Sequence, residues 1–245
     1  MVNPLKATDI SKSYGAEQVL NGVSLTLNNN ETLSILGKSG CGKTTLLKIL
    51  AGLESPDQGT ILVNDTNVQT LRPQERNVVY LYQEPLLFPH LTVFENIAFG
   101  LQLRKVDKNK ISDRTHAMIE KLKLTGMEVK MPDQLSGGQK QRVSFGRALI
   151  TNPSVLLLDE PFGNLDADIR ANMQKLFKQI ANDVDITSIF VTHNVKEAIL
   201  MGDRIGSISN GELMIYPSIE AFIQSGNNGV QEEIEFWSTI KNNRN

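Results

Sequence analysis

Cysteine is nearly missing from this chain: Cys41 is its one thiol in 245 residues. An internal disulfide is excluded, and a reducing compartment is the natural setting. Charge of one sign is not in excess either. Lys and Arg number 25 against 27 Asp and Glu, a formal net charge of −2. Bulk attraction to nucleic acid or anionic lipid therefore has no basis. No run of about 18 apolar residues occurs, so no membrane-crossing helix is expected. Any membrane role must then come through a partner. The opening stretch from Met1 to Ile10 has no charged segment followed by a long apolar one, so no secretory leader is expected. Internal repeats and low-complexity linkers are missing too.

What remains is the composition of an ordinary globular protein, 40% apolar and 21% charged, long enough for a sizeable core. Apolar runs alternate with helical patterns, which predicts an α/β fold. Strands are expected at Leu5–Ile10, Val23–Leu27, Thr32–Leu36 and Val78–Tyr82. Val155–Leu158 and Ile189–Val191 read as parallel strands buried on both faces. Helices are expected at Thr44–Ala51, Ile111–Leu124, Gln139–Ile150 and Asp166–Ala181. The stretch 93–129 carries no strong strand signal and reads as helical. Asn210-Gly211 marks a turn between two short strand-like runs. Beyond Gly226 the chain is rich in Asn and Glu, and Phe236-Trp237 could dock a last helix.

Gly37-Lys38-Ser39-Gly40-Cys41-Gly42-Lys43-Thr44 matches the phosphate-loop pattern G-x-x-x-x-G-K-[ST]. Its glycines let backbone N–H groups turn towards phosphate oxygens, and the following helix points its positive end at the same anion. Lys43 is expected to reach the outer phosphates, and the Thr44 hydroxyl to hold Mg²⁺, with Thr45 beside it in the nucleotide site. Cys41 reads as small filler, not as a nucleophile. Leu156-Leu157-Leu158-Asp159-Glu160 is an apolar strand ending in two acids. Asp159 is suited to support Mg²⁺, and Glu160 to polarise an attacking water. Leu135-Ser136-Gly137-Gly138-Gln139 opens a helix with Ser136 as N-cap. It is a second anion-seeking corner. One nucleotide does not need two such corners from one chain, so this one is expected to serve the nucleotide of another copy.

The ordered set of phosphate loop, Gln83, LSGGQ at 135–139, VLLLDE at 155–160, Asp166 and His193 resembles the ATP-binding cassette family over most of the chain. The resemblance implies a P-loop NTPase fold: a mixed β-sheet core, an N-terminal antiparallel β lobe and an inserted helical subdomain at about 93–150. The nucleotide-binding domain would span 1–225, with 226–245 as a short extension holding no complete regulatory domain. ATP and Mg²⁺ are the implied cofactors. Tyr14 would stack on adenine, and Gln83 would touch Mg²⁺ and the water. Asp166 would cross the dimer interface, and His193 would contact the γ-phosphate.

The segment Tyr82–Gly100 looks like the importer branch that serves sugars, polyamines, iron and other small solutes. There it receives a helix of the membrane subunit, with Leu86, Leu87 and Phe88 as contacts. The implied partners are a second copy or a homologous ATPase, transmembrane permease subunits and, for an importer, a solute-binding protein; no nucleic acid is implied. The implied place is the cytoplasmic face of the inner membrane. An exporter ATPase is the runner-up reading. A soluble cassette ATPase acting on ribosomes or DNA is a weaker one, and a non-catalytic regulatory cassette is opposed by the presence of Lys43, Asp159, Glu160 and His193. Two positions are unusual. Gly163 stands where the family has Ser or Ala, which is expected to add backbone freedom. Gly146 interrupts a helix at a cost of about 1 kcal/mol against Ala, a cost that close packing would explain.

Overall fold

The structure, a computed structural model, describes residues 3–225. The extension 226–245 and the Phe236-Trp237 contact lie outside the described residues. In chain order the elements are β1 (Leu5–Tyr14), β2 (Glu17–Leu27), β3 (Thr32–Leu36), α1 (Lys43–Ala51), β4 (Gln58–Val63), β5 (Thr66–Asn67) and β6 (Val78–Leu81). Next come α2 (Val93–Leu103), α3 (Lys108–Lys121), α4 (Gly137–Leu149), β7 (Val155–Asp159) and α5 (Ala167–Asp183). The series closes with β8 (Ser188–Thr192), α6 (Val195–Met201), β9 (Arg204–Ser209), β10 (Glu212–Ile215) and α7 (Ile219–Gln224).

Two sheets form. One is antiparallel, ordered β2-β1-β4-β5; the other is six-stranded, ordered β10-β9-β3-β8-β7-β6. In the larger sheet β6, β7, β8, β3 and β9 run parallel, and β10 closes the edge antiparallel to β9. The expected mixed core and antiparallel lobe are both present. Every residue of β3, β7 and β8 is buried, which is why Val155–Leu158 and Ile189–Val191 read as continuous apolar runs. Asn210 and Gly211 both have positive φ, as a tight turn between β9 and β10 requires. β1 and β2 extend further than their apolar patterns suggested, because polar residues at the hairpin tip are held by strand pairing. β4, α6 and α7 carried no signal strong enough to be anticipated.

The sheet separates two cores. On one face, residues of β1, β2, β4 and α1 pack with Leu157 and Ile189. On the other, α2, α3, α4 and α5 pack with Leu156, Leu158 and Phe190. The helices between β6 and β7 are firmly anchored. Thr92 and Glu95 form a capping box at the start of α2. Asn96, fully buried, donates to the carbonyls of Phe88, Leu91 and Thr92 and accepts from the Phe88 amide, organising the loop ahead of α2. At Gly146 in α4, a Cβ would lie 2.6 Å from Leu122 Cδ1 and 3.1 Å from Ile97. Close packing is therefore the reason for that helical glycine.

The far end of α1 is clasped by a buried guanidinium. Arg76 donates to the carbonyls of Ile49, Leu71 and Gln69. Its Cζ lies 2.5 Å from where a Cβ on Gly52 would sit.

Candidate functional site

The site forms at the carboxyl ends of β3, β7 and β8, where open α/β sheets bind ligands. β3 ends at Leu36 and α1 begins at Lys43, so the phosphate-loop residues make the turn between them. Gly42 immediately precedes α1 with φ 103, a conformation costly for any other residue. A Cβ there would also press on Leu20 at 2.8 Å. Cys41 is half-buried and packs against the core beneath the antiparallel lobe, as filler. Lys43 is buried: its amine donates to the Gly37 and Lys38 carbonyls at 2.7 and 2.9 Å. Glu160 Oε1 stands 3.7 Å from the same amine.

The two acids after β7 part company. Asp159 stays in strand conformation and accepts from Thr44 Oγ1 at 3.2 Å. Glu160 turns into positive φ, which swings its carboxylate towards His193. His193 Nδ1 lies 2.7 Å from Glu160 Oε2. A carboxylate only accepts, so Nδ1 carries the proton in this contact. Strand β8 delivers His193 to this point, since it ends at Thr192. A buried carboxylate backs that corner: Glu197 accepts from Thr192 Oγ1 at 2.7 Å and from Gln174 at 3.0 Å.

A cleft of 580 Å³ brings together Ser39, Gly40, Gly42, Lys43, Thr44, Thr45, Gln83, Asp159, Glu160 and His193. Val19, which the sequence gave no reason to single out, forms part of its wall. Gly37, Lys38 and Cys41 line an adjoining cleft on the other side of the loop. The Thr44 hydroxyl and Asp159 carboxylate are hard oxygen donors close enough to share one small cation, so the residues present fit Mg²⁺. Gln83 Nε2 donates to Asn164 Oδ1 at 3.3 Å.

Gly163 corrects one expectation. Its φ is not in the positive region, so the extra backbone freedom goes unused. A Cβ there would stand 2.9 Å from Gln83 Nε2, the far end of a flexible side chain that can shift to admit it.

Other expected residues do not line this cleft, although the Tyr14 hydroxyl reaches Thr45 at its wall. Tyr14, at the end of β1, is exposed and donates its hydroxyl to Glu54, which pushes its phenol pKa up. Ser136 caps α4 by the anticipated box: it accepts from Gln139 N at 3.3 Å, while Gln139 Oε1 accepts from Ser136 N at 2.9 Å. Ser136 and Gly137 are exposed, and Gly138 is buried against Ile169. Asp166 sits at the N-cap of α5 without a side-chain capping bond and is exposed. Leu86 is exposed, whereas Leu87 packs on the core and Phe88 stacks with Phe99 and under the Arg147 guanidinium.

The family model for the ABC transporter matches residues 20–163, more than half of the chain. The chain belongs to the ABC transporter family. Among similar curated proteins, this ABC protein is 42% identical over 211 residues to the sulfate/thiosulfate import ATP-binding protein CysA of Pectobacterium atrosepticum. That match covers 84% of this chain and 64% of the relative. It is also 42% identical over 207 residues to the spermidine/putrescine import ATP-binding protein PotA of Acetivibrio thermocellus, covering 84% and 59%. The chain thus spans about three fifths of the length of these relatives. A solved dimer of the ATP-binding cassette MJ0796, in a post-hydrolysis state with ADP and Pi, superposes with a TM-score of 0.75 at 29% identity. That match covers 85% of this chain and 96% of the other. Among the described residues of this ABC protein, no helix is long and apolar enough to cross a membrane.

Proposed function

We propose that this chain is the ATP-binding and ATP-hydrolysing subunit of an importer of a small solute, and that it works as a pair. One observation carries the reading: a buried lysine amine, a hydroxyl–carboxylate pair, a second carboxylate and a histidine converge on one cleft. The names of the relatives, import ATP-binding proteins for sulfate and for polyamines, support the importer reading.

The loop amides and Lys43 bind the triphosphate. Thr44 and Asp159 hold Mg²⁺, with Gln83 completing the set. When bound, the metal neutralises charge on the phosphate oxygens. Glu160 orients and deprotonates the attacking water. His193 fixes the Glu160 carboxylate through Nδ1. A neutral ring then has only an acceptor at Nε2, so donation to a γ-phosphate oxygen takes an imidazolium or release of Glu160. Tyr14 offers its exposed face to the base.

The capped corner at Ser136 and Gly138 takes no part in lining the cleft of its own chain and serves the nucleotide of a second protomer, with Asp166 beside the interface. Closure adds donors to the γ-phosphate, so ATP favours the closed pair and hydrolysis releases it. Permease subunits take the exposed Leu86 side of the loop ahead of α2. A solute-binding protein delivers the cargo outside, and this chain works at the cytoplasmic face of the inner membrane.

Glu160→Gln tests the chemistry. Hydrolysis should fall at least about 100-fold while ATP affinity stays near the parent value, and ATP-dependent dimers should accumulate on size-exclusion columns. An unchanged turnover rate would remove Glu160 from the general-base role.

A further inference from the structure

We propose that the Tyr80 hydroxyl positions Asp159 and thereby sets the affinity of the nucleotide site for its divalent cation. Strand register puts the two side chains together. In the parallel β6–β7 pair Tyr80 lies opposite Leu157. Asp159 is the next residue on the same face, one pleat further towards the site. Tyr80 OH donates to Asp159 Oδ2 at 2.5 Å. The other oxygen, Oδ1, accepts from Thr44 at 3.2 Å. The carboxylate is thus pinned from both sides, one oxygen to the strand layer and one to the helix that opens after the phosphate loop.

The donor is itself held in place. The Tyr80 ring packs edge-on against Tyr82, centroids 4.5 Å apart. Its phenol is half-buried, and its hydroxyl is committed to the Asp159 carboxylate. Asp159 is only 9% exposed, so little solvent is available to replace the phenol. Without it, Oδ2 loses a short hydrogen bond and the carboxylate gains freedom to rotate. Groups that orient a metal-supporting carboxylate in this way tune the site without touching the metal. Tyr80 is therefore a positioning residue and not a catalytic one. This inference rests on the proposed Mg²⁺-nucleotide reading.

The test is Tyr80→Phe, which deletes one oxygen and keeps the ring. Calorimetric titration with ATP is run in EDTA and across a Mg²⁺ series, alongside Tyr80→Leu, which removes the ring as well. ATP affinity in EDTA should match the parent within two-fold. The Mg²⁺ concentration for half-maximal enhancement should rise about ten-fold in both variants, and saturating Mg²⁺ should restore the parent turnover rate. A Mg²⁺ requirement within two-fold of the parent overturns the proposal. An equal loss of affinity in EDTA, or failure of Tyr80→Phe to fold, overturns it as well, because the hydroxyl would then be serving the fold in general. A parent protein showing no Mg²⁺-dependent ATP binding would instead sink the underlying functional reading.

Discussion

Helix α1 follows directly on Gly42 and α4 opens on Gly137, and they differ in what surrounds their starts. The α1 start is walled in by Val19 of the antiparallel sheet and by Asp159, Glu160 and His193 at the ends of β7 and β8. The α4 start is capped by its own Ser136 and Gln139, and Ser136 and Gly137 face solvent. The same local chemistry thus gives a finished pocket in one place and an open corner in the other. A corner that needs nothing more from its own chain is ready to be completed by another.

The contrast can be broken by substitution. Lys43→Met keeps the stem of the side chain but removes the donors to Gly37 and Lys38. Nucleotide affinity measured on the monomer should drop about 100-fold, near 3 kcal/mol. Fluorescent-nucleotide titration checks this. Gly146→Ala probes the seat of α4. The added methyl meets Leu122 and Ile97, and overpacking should outweigh the propensity gain of about 1 kcal/mol. A net loss of roughly 1–2 kcal/mol is expected in urea unfolding, with monomer nucleotide affinity unchanged. Ser136→Ala should cost about 1 kcal/mol of stability through the lost cap. It should leave monomer binding intact while weakening ATP-dependent association in analytical ultracentrifugation. If it weakened monomer binding as much as Lys43→Met, both corners would serve one pocket in one chain, and the contrast would fail.

Much of this was legible without coordinates because the informative signals are local. Val155–Glu160 and Ile189–His193 declare buried strands and place their polar residues at the ends. Gly37–Thr44 carries its own turn chemistry, and Ser136 with Gln139 is a complete cap in four residues. What escaped depends on which strand lies beside which. Tyr80 meets Asp159 only because β6 pairs with β7, and nothing in a single sequence states that pairing. Val19 reaches the cleft because β2 lies near the phosphate loop. β4 escaped for another reason: its burial is partial, so its apolar alternation is weak. Gly163 was read as a source of backbone freedom because a glycine carries the same letter whether or not its torsion is used.

Helix α1 also couples two grips. It opens at the phosphate loop, and in its first turn the Thr45 side chain hydrogen-bonds the Tyr14 hydroxyl, which donates to Glu54 just past the helix end. Arg76 holds the last turn through the Ile49 carbonyl. The exposed ring and the phosphate loop are therefore fastened to one rigid rod. Under the proposed reading, base and phosphates are held by a single body, so neither hold can shift without carrying the other along.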